Sequence, residues 1–391
     1  MYDFDTIIDR SNTDAVKVEL CNTVFGTSDI TPMWVADMDF PCPSPIVMTL
    51  RERIEHPIYG YTVCTPRFQQ CIKQWQKHRN NWDVDCRWIE CCAGVVTSLS
   101  IAIQAFSNVG DGIIIQPPVY TPFFDVVREN ERTLLCNNLI KRDNQWCVNF
   151  EEFERLAAMP TTKIFILSHP HNPVGREWTI DELRQMGEIC VRNNVLILSD
   201  EIHSDIMLNG TKHHPMATIS DEIANNTITF MSASKTFNIA GLSTSYIIAS
   251  NTELRSQYAR KQHALHIINN MIGPIALQAA YANCETWLNE LCTYLSDNVN
   301  FVTDYINRYI PEIKIIKPNA TYLVWLDLSE CNISPADLKH IIYQRAHLGI
   351  NDGSTFGDGY QKYFRLNVAS PLSVIEESLE RLKNVFDSIR N

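Results

Sequence analysis

Residues 228–238 read ITFMSASKTFN, and this stretch indicates the fold more directly than any other part of the chain. Its first half, Ile228–Ser232, is short and nearly all apolar, which is typical of a parallel strand covered on both faces. Lys235 follows directly, between two small hydroxyl residues. A partly desolvated amine loses its proton more easily and can attack a carbonyl, so the stretch predicts a Schiff-base lysine. A solvated surface lysine is the alternative.

Two other apolar runs end in polar residues in the same way. VLILS (195–199) is followed by Asp200, and KIFILS (163–168) is followed by HPHNPVG (169–175), whose prolines and glycine fix a turn that presents Asn172. Ligands bind at the carboxyl ends of the strands in open α/β sheets, so we expect Asn172, Asp200 and Lys235 to share one site. Taken separately, Asp200 could cap a helix and Asn172 could serve only its turn.

The pattern around these runs predicts an α/β protein. From about residue 46 to 250, short apolar runs alternate with amphipathic helical stretches, as expected for a mainly parallel sheet covered by helices. The other predicted strands are 87–92, 112–116 and 244–250, and the clearest predicted helices are 95–106 and 179–193, the second with a Thr179–Glu182 capping box. We predict a large domain at 46–280 that binds the ligand.

After residue 250 the pattern changes to long helices with a few strands between them. The predicted elements are helices at 251–269 and 285–310, strands at 312–317, 322–328 and 363–368, and helices that begin near Ser334 and Ser373. This mixture predicts a smaller α+β domain, formed by residues 1–45 and 281–391.

Composition excludes several classes of protein. The chain has 391 residues, of which 45% are hydrophobic and 20% charged, and it contains no apolar run of the roughly 18 residues that cross a membrane. A net charge of −12 disfavours nucleic-acid binding. The amino terminus, MYDFDT, lacks the pattern of a secretory signal, so we expect a cytoplasmic protein. The 13 cysteines contain no Cys-x-x-Cys pair, which predicts reduced thiols and no metal site.

The motifs Asn-Pro-x-Gly (172–175), Ser-Asp-Glu (199–201) and Ser-x-Ser-Lys (232–235), in this order and spacing, resemble the fold-type I pyridoxal 5′-phosphate (PLP) enzymes of the class I/II aminotransferase superfamily. A narrower likeness is to the aminotransferase-like cystathionine β-lyases, or C-S lyases, one branch of which also modulates the maltose regulon. It rests on PMWVADMDF (32–40), YGY (59–61), SDEIH (199–203) and SKTFN (234–238).

The resemblance implies PLP as the cofactor and gives roles to the residues at the strand ends. Lys235 would hold PLP and then remove the Cα proton of the substrate. Asp200 would pair with the pyridine nitrogen, and Asn172 would donate to the phenolate oxygen. His203 stands where many aminotransferases have a tyrosine, which favours the lyase branch. Tyr120 would stack on the ring and complete the catalytic set with Lys235 and Asp200; a core tyrosine is its alternative.

The resemblance also implies contacts to the cofactor phosphate. They would come from backbone amides at a helix N-terminus and from two hydroxyls, namely Gly94, Val95, Val96, Ser232 and Ser234. Position 243 is serine where aminotransferases usually have arginine, so one cationic ligand is missing. Tyr61 would offset this loss by reaching the phosphate of the partner subunit in a homodimer.

Arg365 is the predicted substrate-binding residue. It lies in KYFRLN (362–367), a predicted strand, and its fork would hold the substrate α-carboxylate in a way that lysine cannot reproduce. A structural salt bridge is the alternative. Asn172 and the backbone near Ala36 would contribute to the same pocket. His169, where aminotransferases often have asparagine, is given no role.

We therefore predict a PLP-dependent C-S β-lyase that cleaves L-cystathionine or related S-substituted cysteines to a thiol, pyruvate and ammonia. An aminotransferase is the first alternative, because both reactions begin with loss of the Cα proton. A regulatory protein-binding role on the same fold is a further alternative. The intact set of Asn172, Asp200 and Lys235 argues against an exclusively non-enzymatic role. The preferred sulfur amino acid stays open.

Overall fold

The computed structural model describes residues 2–390, so Met1 and Asn391, the ends of the predicted smaller domain, lie outside it. The helices are α1 Val16–Glu19, α2 Cys21–Phe25, α3 Ser44–Glu55, α4 Pro66–Asn80, α5 Val95–Phe106, α6 Pro122–Arg128, α7 Phe150–Ala157, α8 Ile180–Arg192, α9 Asp221–Asn225, α10 Thr252–Ala264, α11 Gly273–Asn283, α12 Glu285–Tyr309, α13 Pro335–His340 and α14 Leu372–Arg390. The strands are β1 Thr31–Pro32, β2 Ile89–Cys92, β3 Gly112–Ile115, β4 Thr133–Cys136, β5 Ile140–Arg142, β6 Gln145–Cys147, β7 Thr162–Ser168, β8 Leu196–Asp200, β9 Thr227–Met231, β10 Ser245–Ile248, β11 Lys314–Ile315, β12 Leu323–Asp327, β13 Leu348–Gly349, β14 Asn351–Asp352 and β15 Tyr363–Asn367.

Seven strands form one sheet, in the order β2-β10-β9-β8-β7-β3-β4. The five strands from β9 to β4 run parallel to one another. Every residue of β8 and β9 is buried. Along β8, Leu196 and Leu198 belong to one apolar cluster and Ile197 to another, because successive side chains of a strand point to opposite faces. The sheet is therefore covered on both faces, as the apolar runs predicted.

Two details of the predicted sheet are corrected. The strand predicted at 244–250 is β10, and it runs antiparallel to both of its neighbours, β9 and β2. Its connection from β9 contains only the short 3-10 helix Ala240–Leu242, whereas a parallel neighbour requires a longer crossover, usually through a helix. The strand predicted at 87–92 begins only at Ile89, because the Asp85 carboxylate accepts from the Arg87 N–H at 2.8 Å and stabilises a preceding helical turn.

A second sheet lies in the carboxyl-terminal third, with the strand order β11-β12-β15-β14. All of its neighbouring strands are antiparallel, and β15 carries Arg365 between β12 and β14. Helices α12 and α14 contact each other beside it and contribute to the largest apolar cluster. The large sheet is mainly parallel and the second is antiparallel, as expected for the α/β and α+β domains predicted from the sequence. The domain boundaries at 46 and 280 stay a prediction. Within residues 2–390, no helix is both long enough and apolar enough to cross a membrane.

Candidate active site

A cavity of about 200 Å³ opens at the carboxyl ends of β7, β8 and β9. It is the place where we expected the three strand-end residues to meet. Eleven of the predicted site residues line it: Ala36, Gly94, Val95, Val96, Tyr120, Asn172, Asp200, His203, Ser232, Ser234 and Lys235. Arg365 is joined to this wall by a hydrogen bond to Asn172. The structure therefore brings together every predicted site residue except Tyr61.

Lys235 is half-buried, and its amine is positioned by a backbone carbonyl. The Nζ atom donates to Ala36 O at 2.7 Å, and the hydroxyl of Tyr322 donates to the same oxygen at 3.0 Å. Burial, together with the positive charge of Arg365, lowers the pKa of Lys235 to about 8. Near physiological pH, an amine with this pKa is neutral in a minority of molecules, but far more often than an ordinary lysine, and the neutral form is the one that acts as a nucleophile or base.

Asp200 is the acidic group of the cavity. One carboxylate oxygen accepts from the Ile202 N–H at 3.1 Å, and burial raises the pKa of Asp200 to about 7. His203 lies beside it with an Nδ1 atom that is buried without a partner. Burial and the nearby charges of Lys235 and Arg365 lower the pKa of His203 to about 3, so its ring is neutral. A cationic ligand group would stabilise the ionised form of Asp200.

Asn172, which follows β7 of the large sheet, and Arg365, on β15 of the second sheet, form a hydrogen-bonded pair. Arg365 donates to Asn172 Oδ1 at 3.0 Å, to Asn351 Oδ1 at 2.7 Å and to Trp34 O at 2.8 Å. It is 4% exposed and forms no salt bridge with a carboxylate of residues 2–390. Burial lowers the pKa of Arg365 to about 10. A buried guanidinium without a counter-ion is suited to an anionic ligand, and the Nε atom has no partner.

The amino-terminal end of α5 forms another wall of the cavity. Helix α5 begins at Val95, and the Gly94 N–H donates to Ser245 Oγ at 3.0 Å. The first N–H groups of a helix have no partner within the helix, so the amides of Val95 and Val96 are available to an anion. On the facing wall, Ser232 Oγ lies 2.8 Å from Ser234 Oγ.

Tyr61 does not reach this cavity in its own chain. It lies in the segment between α3 and α4, and its side chain is 100% exposed. Ser243 does line the cavity, with a left-handed φ of 44°. The cavity lining includes no arginine from residues 2–390, so the cationic phosphate ligand missing from the sequence pattern is not replaced by another arginine.

Thr244 and Tyr322 belong to the site but were not predicted from the sequence. Thr244 lines the cavity, and its Oγ1 atom is buried without a hydrogen-bond partner. Tyr322 precedes β12 and contacts the carbonyl that holds Lys235. Thr244 could have been identified from the sequence because it is next to Ser243, the position where aminotransferases usually have arginine. Nothing in the sequence around Tyr322 distinguishes it from a core tyrosine.

Comparison with known proteins agrees with this geometry. A family model described as aminotransferase class I and II matches residues 50–382. The chain belongs to this family. It is 39% identical over 382 residues to the cystathionine beta-lyase PatB of Bacillus subtilis, which covers 97% of this chain and 98% of that protein. It is 31% identical over 396 residues to the protein MalY of Escherichia coli, with 100% of both chains covered.

Solved structures of this aminotransferase family share the fold. The crystal structure of cystalysin from Treponema denticola, which contains a pyridoxal 5′-phosphate cofactor, is similar with a TM-score of 0.96 at 33% identity, over 100% of both chains. The family and fold predicted from the sequence are therefore confirmed. The narrower likeness to the C-S lyase branch is confirmed as well, since relatives on that branch match over nearly the whole chain.

Proposed function

We propose that this member of the family is a PLP-dependent carbon–sulfur β-lyase that acts on L-cystathionine or related S-substituted cysteines. The observation that carries this proposal is the convergence of the Lys235 amine, the Asp200 carboxyl group and the Asn172–Arg365 pair on one cavity. Similarity to PatB over nearly the whole chain supports the lyase in preference to the aminotransferase. Its products are a thiol, pyruvate and ammonia.

The groups that line the cavity fit PLP. Lys235 would bind its aldehyde, Asp200 would pair with its ring nitrogen, and Asn172 would donate to its phenolate oxygen. The orphaned Thr244 hydroxyl and the free amides of Val95 and Val96 would bind the phosphate. Tyr120 would stack on one face of the ring, while Ser232, Ser234 and His203 complete the wall. When bound, PLP supplies the electron sink that accepts the negative charge left at the substrate Cα.

The chain's own residues would position the substrate and move its proton. Arg365 would bind the α-carboxylate through its free Nε atom, with a backbone N–H near Ala36 as a further donor. The Ala36 carbonyl cannot bind a carboxylate, but it holds the Lys235 amine at 2.7 Å. With PLP and substrate bound, Lys235 would take the Cα proton as a general base.

The lyase is tested with cystathionine as the only substrate. Expulsion of a thiolate requires no second substrate, so the purified enzyme should release thiol and pyruvate over many turnovers without an added keto acid. A transaminase would stop after about one turnover, with its cofactor in the aminated form. Absence of sustained pyruvate release, together with rapid amino transfer when 2-oxoglutarate is added, would replace the lyase by the aminotransferase.

Replacing Arg365 by lysine should weaken substrate binding without disturbing the cofactor. Lysine keeps the charge but loses the fork, and a hydrogen bond to a charged group is worth about 1.5–3 kcal/mol, so kcat/KM should fall roughly 10- to 100-fold. The measurement is steady-state kinetics with cystathionine, alongside the visible absorbance of the bound cofactor. Equal loss of cofactor and substrate binding would indicate a structural role for Arg365.

We also propose that the enzyme is a homodimer in which Tyr61 completes the phosphate site of the partner subunit. The segment that carries Tyr61 exposes large apolar side chains, with Ile58 67% and Val63 81% exposed, as expected of a surface covered in an oligomer. The reaction would take place in the cytoplasm, where the free thiols of the chain stay reduced.

Hybrid dimers test the placement of Tyr61. Neither Tyr61→Phe nor Lys235→Ala homodimers should be fully active, but a mixed dimer would contain one site with both residues intact. Mixing the two variants should therefore raise the activity above the sum of the separate samples once the subunits exchange. Verified exchange without any rise in activity would place Tyr61 outside the partner's site.

A further inference from the structure

A second cluster of charged side chains lies behind the active site and is buried. Glu201 follows Asp200 directly, but it points away from the cavity and is 0% exposed. Its Oε1 atom accepts from Ser199 Oγ at 2.7 Å and from the Met216 N–H at 3.0 Å. Its Oε2 atom lies 2.9 Å from His213 Nε2. The reaction described above does not use this carboxylate.

His213 is held between two carboxylates. Its Nε2 faces Glu201, and its Nδ1 lies 3.0 Å from Glu177 Oε2. A carboxylate can only accept, so His213 satisfies both contacts only when both ring nitrogens carry protons. Although burial alone would lower it, the two glutamates raise the pKa of His213 to about 10. His213 is therefore a buried imidazolium.

The second carboxylate, Glu177, lies two residues after the turn that presents Asn172. Glu177 Oε1 accepts from the His214 N–H at 2.9 Å and lies 3.5 Å from His169 Nε2. The turn itself is closed by the Gly175 N–H, which donates to His171 O at 2.8 Å. Glu177 is tied to the end of β7 through the next residue, because the indole N–H of Trp178 donates to Ser168 O at 3.1 Å. Glu201 directly follows the end of β8. His213 joins the two strand ends that carry Asn172 and Asp200.

We propose that His213 is a positioning residue for the cofactor site: clamped between Glu177 and Glu201, it holds the ends of β7 and β8 in the register that places Asn172 and Asp200 at the cavity. His169 has its role here, since its Nε2 donates to His214 O at 2.9 Å and fixes the backbone next to His213. This inference rests on one part of the proposed function, namely that Asn172 and Asp200 contact the cofactor.

The test replaces His213 by glutamine in the holoenzyme. Glutamine is neutral and cannot bridge both carboxylates, so we expect kcat to fall roughly 10- to 100-fold, as when residues that orient catalytic ligands are changed. KM should change less than kcat, because Arg365 keeps its contacts to Trp34 O and Asn351 Oδ1 even if Asn172 shifts. The circular dichroism of the bound cofactor should weaken, which reports its orientation without any turnover. Lys212→Gln is the matched control: Lys212 is adjacent and exposed, and its variant should resemble the wild type.

A double variant separates positioning from simple charge balance. In His213→Gln, Glu177 and Glu201 are left without a cation, which destabilises the fold. Adding Glu177→Gln removes one of these charges, so thermal stability should recover while kcat and the cofactor signal stay low. Recovery of all three quantities together would overturn the proposal, and so would His213→Gln with normal kcat and cofactor signal.

Two further measurements keep the result interpretable. If His213→Gln does not fold, Glu177→Gln alone opens one side of the clamp and should give an intermediate loss of kcat and cofactor signal; no loss would overturn the proposal. Histidine and glutamate also bind metals, so one stoichiometric metal ion in the wild type that is lost with His213 would overturn it as well. If the lyase assignment is wrong, the wild type will fail to turn over cystathionine, but the difference in cofactor circular dichroism between the wild type and His213→Gln will still be measurable.

Discussion

Replacing Lys235 by alanine is expected to leave a folded protein that has lost essentially all activity. The amine that would bind the cofactor is also the base for the Cα proton, so one change removes both the covalent link and the proton acceptor. We expect kcat/KM to fall by at least about 10³-fold, near the upper range for loss of a general base. The visible absorbance of the covalently bound cofactor should disappear, while the thermal unfolding transition remains cooperative.

The control for this variant is Lys317→Ala, which removes an exposed lysine outside the cavity. It should keep the wild-type absorbance and rate. Added methylamine should restore part of the Lys235→Ala activity, because a small amine can enter the space left by the side chain and replace the missing base. Turnover of Lys235→Ala near the wild-type rate would show that another group performs the chemistry, and the proposed site would be wrong.

The strands that build the cavity could be predicted because each carries its signal locally. β7, β8 and β9 are apolar runs that end in Asn172, Asp200 and Lys235 within a few residues, and the observed strands begin and end within one residue of the prediction. Parallel strands bring their carboxyl ends to the same edge. Sequence order alone therefore predicted that these side chains meet.

Features that depend on distant parts of the chain were not predictable in this way. β4 (Thr133–Cys136) lies at the sheet edge, with only half-buried and exposed residues, so it lacks the apolar signal of the central strands. The approach of Tyr322 to the carbonyl that holds Lys235 joins segments 286 residues apart. The clamp on His213 joins three segments, and no local pattern marks its two glutamates as buried.

The consequences of the two departures from the aminotransferase pattern, Ser243 and His169, were also visible only in the structure. Serine at position 243 leaves the cavity without an arginine, and the neighbouring Thr244 presents a buried hydroxyl with no partner. His169 replaces asparagine and contacts the backbone beside His213. In both places the effect of the substitution depends on a second residue, Thr244 or His213, that the sequence analysis did not identify.

Replacing Asp200 by asparagine should have the second-largest effect. Asparagine has the size of aspartate, and its amide oxygen can still accept from the Ile202 N–H. It lacks the negative charge that would pair with the ring nitrogen. A neutral ring accepts electrons poorly, so kcat should fall about 10²- to 10³-fold, as when one preorganised electrostatic contact is lost. The cofactor should still bind covalently, because Lys235 is intact, but more weakly than in the wild type.

The acidity of Asp200 adds a spectroscopic readout to this prediction. Burial raises its pKa to about 7 in the chain alone, so a cationic ring nitrogen must lower that pKa for the carboxylate to stay ionised. A pH titration of the cofactor absorbance should therefore give a higher pKa for the ring nitrogen in the wild type than in Asp200→Asn. Asp200→Glu, which keeps the charge, should retain more activity than Asp200→Asn. Equal rates and equal spectra for wild type and Asp200→Asn would mean that a different group pairs with the ring.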